Sequence, residues 1–254
     1  MAKRSVAQGV VSFGLVSIPV KFYVATQAKS VSFCQLTKDG KRVKQFLREE
    51  GTDREVNRGE LRKGYEVAKG QYVAFEPAEI KSLEESGSGG IEIREFVPAE
   101  TVDLLHVEKS YYLGPGKGGD KPYNLLSQAL KRTGKYAVAQ WSNRGKQHLV
   151  VIRPYQDGLV IHQMFYADEV REFDTDAAKT TASDLEVDMA CKLIEAGAKE
   201  SYDVTQYCDS FKARVEKAVE EKQEGKEITV TPDAPVQDVG DLMAALKASL
   251  GAAA

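Results

Sequence analysis

The sequence predicts a mixed, mainly β fold, a barrel or sandwich of short strands, followed by a helical C-terminal third. Three observations carry this. Seven short runs rich in Val, Ile, Phe and Tyr fill the first two-thirds, punctuated by Gly, Pro and Asp. Beyond about residue 174 the apolar period changes from two to about 3.6. The most basic stretch, residues 38–63, has few large apolar side chains and little to bury.

The strand runs cover residues 10–13, 15–22, 71–75, 91–97, 136–141, 148–153 and 159–166. Gly14 and Pro19 break the first two. Ile91, Glu92, Ile93 and Arg94 alternate as a half-exposed strand does. In 136–141, Tyr136 and Val138 oppose Ala137, Ala139 and Trp141, which suits a strand covered on both faces. One helix interrupts the strands. Asp120 is its expected cap, Pro122 lies in its first turn, Tyr123, Leu126, Ala129 and Leu130 line one face, and Gly134 closes it.

The helical third opens on Ser183-Asp-Leu-Glu186, a capping-box pattern. Leu185, Met189 and Leu193, with Ala190, Ile194 and Gly197, form an apolar stripe. A second helix is expected from near Asp203, with Tyr207, Phe211, Val215 and Val219 at every fourth position and Gly225 as its end. Pro232 and Pro235 mark a linker. A short amphipathic helix follows, capped by Asp238 and carrying Val239, Leu242, Met243, Leu246 and Leu250. So short a helix is marginal alone in water, and its apolar face calls for a partner.

The net charge of −3 hides a strong asymmetry. Residues 1–70 hold 14 Lys and Arg against 7 Asp and Glu, a balance of +7; residues 168–227 hold 9 against 17, a balance of −8. A basic face for nucleic acid fits this distribution. Within 38–63 the cations are Lys38, Lys41, Arg42, Lys44, Arg48, Arg54, Arg58, Arg62 and Lys63, against six acids. Asp39-Gly40 reads as a two-residue hairpin turn, which would set Arg42 and Lys44 on one strand face. Arg144 and Lys146 flank a later turn and join the candidate phosphate contacts. No helix or zinc module for reading bases is evident, so these cations would grip phosphates and position without specifying sequence.

Other function classes find less support. No apolar run is long enough to cross a bilayer and the N-terminus lacks a signal-peptide pattern, so a cytoplasmic protein is expected. Cys34, Cys191 and Cys208 are far apart, and His106, His148 and His162 have no ligand-like neighbours, so no metal or cofactor is expected. The glycine-rich run 114–119 lacks the Lys-Ser/Thr pair of a phosphate loop and reads as a mobile loop, with Lys117 and Lys121 within reach of phosphate. No catalytic motif appears, and the expectation is a non-enzyme. A single-strand or RNA-binding barrel would need stacking platforms, for which Tyr111, Tyr112 and Trp141 are the candidates.

Several motifs occur in order along the chain: VSFGLVSIPVKFY at 11–23, KGYE at 63–66, GQYV at 70–73, EFVP at 95–98, KSYYL at 109–113, GKQHL at 145–149 and HQMFYADEVR at 162–171. Together they resemble bacterial Ku proteins over about residues 5–228. The resemblance implies a Ku-core-like β-barrel with a projecting bridge region and a C-terminal helical arm, in a homodimer that closes a ring around double-stranded DNA ends and recruits an ATP-dependent end-joining DNA ligase. The core would span 1–228, with the barrel at about 5–174, the basic bridge at about 34–66 and the arm at about 183–224; 229–254 would be linker and terminal helix. Leu185, Met189, Leu193, Tyr207, Phe211 and Val215 then belong to the dimer interface, and Leu242, Met243, Leu246 and Leu250 to ligase recruitment. Two features depart from some relatives. The paired cysteines that they carry opposite residues 38–53 are absent here, and so is a long lysine-rich tail, which argues against a zinc knuckle and against tail-assisted DNA binding.

Overall fold

Seven strands close into a barrel in the computed structural model, which describes residues 4–83, 89–143, 145–173 and 182–226. β1 (Ala7–Phe13) and β2 (Val16–Val24) form a tight hairpin. β3 (Lys63–Ala68) and β4 (Gln71–Phe75) pair only with each other, and a short helix, α1 (Pro77–Leu83), follows them. β5 (Gly90–Pro98), β6 (Val107–Pro115), β7 (Lys135–Asn143), β8 (Lys146–Tyr155) and β9 (Gly158–Met164) complete the barrel in the order β1-β2-β6-β9-β8-β7-β5. The closing pair, β1 with β5, is parallel; every other pair is antiparallel. Closure leaves no edge among these seven strands.

Alternation fills the interior. Ile18, Val20 and Phe22 of β2, Ala137, Ala139 and Trp141 of β7, Val150 and Ile152 of β8, and Leu159 and Ile161 of β9 are all buried in one core. The small alanines of β7 leave room for the large rings: Trp141 stacks on Phe22 at 4.7 Å between centroids and meets Tyr111 edge-on at 6.1 Å. β8 and β9 also bury Val151, Val160 and Met164 on their other face. A register shift in β5 between Ile93 and Glu95, and one in β6 between Val107 and Lys109, break the simple alternation.

α2 (Asp120–Thr133) adds Tyr123, Leu126 and Leu130 to this core. The Tyr123 hydroxyl donates to Leu113 O at 2.7 Å and accepts from Leu159 N at 2.9 Å, tying together a matched residue pair of β6 and β9. Gly134 ends the helix at φ 64°, as expected. Its N-cap is Gly119 and not Asp120, which is the first helical residue. Tyr123 N donates to Gly119 O at 2.9 Å, which starts the helix one residue early, and a side chain at 119 is excluded because a Cβ there would stand 2.6 Å from Pro19 O. Gly116 N also donates to Pro19 O at 2.7 Å, so the glycine-rich run is seated on β2.

The chain forms two compact units, Met1–Lys29 with Cys34–Glu172 and Ser30–Phe33 with Phe173–Ala254. Within the second, α3 (Asp184–Gly197) begins at the expected capping box: Glu186 N donates to Ser183 Oγ and Ser183 N to the Glu186 carboxylate. The next helix, α4 (Ser210–Gln223), starts later than its apolar spacing predicts. Asp209 accepts from Phe211 N and Lys212 N and so sets its first turn. Asp203 caps only a three-residue 3₁₀ turn, Val204–Gln206, so Tyr207 precedes the helix. The terminal amphipathic segment lies outside the described residues.

Candidate nucleic-acid interface

Between Phe22 and Ile91 no described residue is buried. This long insertion holds itself together by local hydrogen bonds instead of a core. Its first element is a small hairpin: Thr37 N donates to Lys41 O at 2.8 Å, Gly40 N to Thr37 O at 2.9 Å and Val43 N to Gln35 O at 3.1 Å. Lys38, Asp39 and Gly40 are therefore a three-residue loop, with Gly40 at φ 77°. The two-residue turn expected at Asp39-Gly40 is not formed, because a type I turn followed by a left-handed glycine satisfies the Thr37 and Lys41 backbone groups one residue further apart. Pairing beyond the loop is one bridge, Leu36 with Arg42, so Arg42 and Lys44 do not share an extended strand face.

A second hairpin repeats the device. Val56 N donates to Leu47 O at 2.9 Å and Glu49 N to Arg54 O at 3.1 Å, around Gly51 at φ 77°. The β3–β4 ribbon is third, with Tyr65 opposite Val73.

Ion pairing divides the nine cations. Arg48 binds Asp53 at 2.9 Å, Arg54 binds Glu60 at 3.7 Å and Arg62 binds Glu76 at 3.2 Å. Lys38, Lys41, Arg42, Lys44, Arg58 and Lys63 are exposed and make no ion pair among the described residues. Three arginines thus brace the hairpins and six cations face solvent. Lys146 is also exposed, at the start of β8; Arg144 lies outside the described residues.

The aromatic candidates for stacking are not a platform. Trp141 is 3% exposed and packed inside the barrel, and Tyr111 is half-buried against it. Tyr112 is half-buried beside Tyr155. Strand positions of this kind usually bury aromatic rings, and closure of the barrel does so here.

One polar network escaped the sequence reading. His162 lies between Ser110 Oγ, 2.7 Å from Nδ1, and Arg153 Nε, 2.8 Å from Nε2. Ser110 lies far from His162 in sequence and meets it through the register of β6 and β9, while Arg153 reaches it across the β8–β9 hairpin. An arginine only donates, so Nε2 accepts and Nδ1 carries the hydrogen and donates to Ser110. Burial first, and the Arg153 charge second, push the His162 imidazole down to about 4. A histidine that donates to the serine is arranged against activating it as a nucleophile. Among the described residues no three His, Cys, Asp or Glu side chains converge as a metal site requires.

In the second unit, Leu185, Tyr207 and Phe211 are exposed, and Met189, Leu193 and Val215 only half-buried. Val187 and Ile194 extend the uncovered apolar surface. Leu242, Met243, Leu246 and Leu250 lie outside the described residues. No described helix is long and apolar enough to cross a membrane.

The closed barrel with its coreless basic insertion corresponds to a known architecture: residues 12–189 match the family model of the Ku70/Ku80 beta-barrel domain. The chain belongs to the Ku family. It is 43% identical to the non-homologous end joining protein Ku of Paraburkholderia phymatum, over 98% of this chain and 83% of that one. It is 39% identical to the protein of that name from Koribacter versatilis, over 98% and 86%, and 37% identical to the one from Archaeoglobus fulgidus, over 98% and 99%.

Proposed function

We propose that this protein binds the ends of double-stranded DNA, without sequence preference, as a ring-shaped homodimer in the repair of breaks by non-homologous end joining. The observation that carries the reading is the coreless insertion with six unpaired cations, on a barrel whose relatives are named for end joining. Lys38, Lys41, Arg42, Lys44, Arg58 and Lys63 contact phosphates directly, with Lys146 and Arg144 as outlying contacts. Arg48, Arg54 and Arg62 hold the hairpins that present them. Binding is non-catalytic and needs no cofactor: each neutralised phosphate releases counterions, and affinity falls with salt at a slope of roughly −0.9 per phosphate.

The dimer forms through the uncovered apolar surface of α3, α4 and Tyr207. The terminal segment, through Leu242, Met243, Leu246 and Leu250, recruits an ATP-dependent end-joining ligase in the nucleoid-associated cytoplasm. Deleting residues 239–254 should leave DNA affinity intact and abolish stimulation of that ligase.

A competition experiment tests the central claim. Labelled linear duplex is bound, then challenged with unlabelled linear DNA or with a covalently closed circle of the same sequence. The linear competitor should displace the label and the circle should compete poorly. Equal competition would reduce the protein to a general nucleic-acid-binding scaffold without end specificity.

A further inference from the structure

The first unit carries an open apolar slot of about 280 Å³ between α2 and the β1–β2 hairpin. Phe13, Val16, Phe96, Pro122, Leu125 and Ala129 line it. Two of these, Phe13 and Phe96, pack edge to face at 5.3 Å. Leu125 is 66% exposed, and Leu15, in the turn between the lining residues Phe13 and Val16, is fully exposed. A soluble surface seldom concentrates large apolar side chains in this way without a partner.

The rim is cationic. Lys135 lines the slot. Lys121, Leu125 and Arg132 fall on one line of α2 by helical spacing, so Lys121 and Arg132 flank the slot on its helical side. None of the three cations makes an ion pair among the described residues. The one acid on α2 is Asp120, at its first residue. A duplex is a poor occupant, because the lining is apolar apart from Lys135 and Thr133, whose hydroxyl already donates to Ala129 O. Apolar side chains flanked by carboxylates satisfy both floor and rim.

We infer that the slot docks an amphipathic helix of a second protein, with its apolar side chains against Leu125 and Phe96 and acidic flanks toward Lys121, Arg132 and Lys135. This is the helix-in-groove mode of recognition. It requires neither the DNA reading nor the dimer reading.

The test uses the full-length protein and two synthetic fluorescein-labelled helices, each with leucines at i, i+3, i+4 and i+7. One is flanked by glutamates and the other by lysines. Anisotropy should show saturable binding of the glutamate-flanked helix and about tenfold weaker binding of the other. Leu125→Glu, at an exposed position that leaves the fold intact by thermal melting, should remove binding while DNA affinity and sedimentation stay unchanged. The pair Arg132→Glu and Lys135→Glu should invert the preference between the helices. Equal binding of both helices, no saturable binding, or indifference to Leu125→Glu would overturn the inference. Conversion to a smaller species by Leu125→Glu would also overturn it, because the slot would then belong to a second copy of this chain.

Discussion

At the scale of single residues, three side chains show different kinds of dependence. Tyr123 satisfies a backbone donor and a backbone acceptor on neighbouring strands with one hydroxyl. Tyr123→Phe leaves Leu159 N and Leu113 O without that partner and should cost about 1–3 kcal/mol in urea unfolding. His162 depends on pH. It is held neutral in the fold down to about 4, against 6.5 ordinarily, so the unfolded chain takes up a proton first on acidification. Its contribution is therefore complete above pH 6.5 and is lost as pH falls toward about 4. His162→Gln should flatten that part of the stability–pH curve; an unchanged curve would remove His162 from the account. The cations of the insertion separate by pairing. Reversing Lys38, Lys41 and Lys44 to Glu should make the salt slope of DNA binding shallower by about 0.9 for each phosphate no longer neutralised. Reversing Arg48, Arg54 and Arg62 should loosen the hairpins, read as faster proteolysis at 34–66, with a smaller change in slope.

At the scale of elements, the unpartnered helices give the plainest expectation. α3 leaves Leu185 and Ile194 exposed and α4 leaves Phe211 exposed, which is more apolar surface than isolated helices tolerate in water. Replacing these three by Ser should convert the proposed dimer to monomer in sedimentation velocity; an unchanged sedimentation coefficient would count against an interface at these helices. These elements also show what could be read from sequence. The capping box at Ser183 and Gly134 at the end of α2 were legible because each is a local hydrogen-bonding or conformational requirement. The start of α4 was not, because Asp203 and Asp209 are both competent caps and the apolar spacing runs through both. β3 and β6 were missed, since Lys63–Ala68 has no buried face and β6 loses its alternation at the shift between Val107 and Lys109. The candidate cations were visible as residue types, but their division into bracing and free groups depends on Asp53, Glu60 and Glu76 coming within reach, which no spacing rule predicts.

At the scale of the whole molecule, residues interleaved in sequence belong to very different environments. The barrel closes on itself through one parallel pair, β1 with β5, and the insertion leaves the barrel at β2 and rejoins it at β5. The insertion can therefore vary in length and charge without disturbing the core, because the strands at its two ends, β2 and β5, are each held by pairing to β1. Competition between linear and circular DNA is the measurement proper to this scale, since the proposed ring would be a property of no single residue.

The absence of any buried side chain among the described residues between Phe22 and Ile91 also sets a clock. Amides of β7, β8 and β9 should exchange with deuterium only when the barrel opens as a whole. Those of the two small hairpins need break only a few bonds locally and should exchange orders of magnitude sooner. A ligand gripped by the insertion would slow the fast class and leave the slow one untouched. The protein thus carries an internal reference against which occupancy can be timed, without a label and without a catalytic readout.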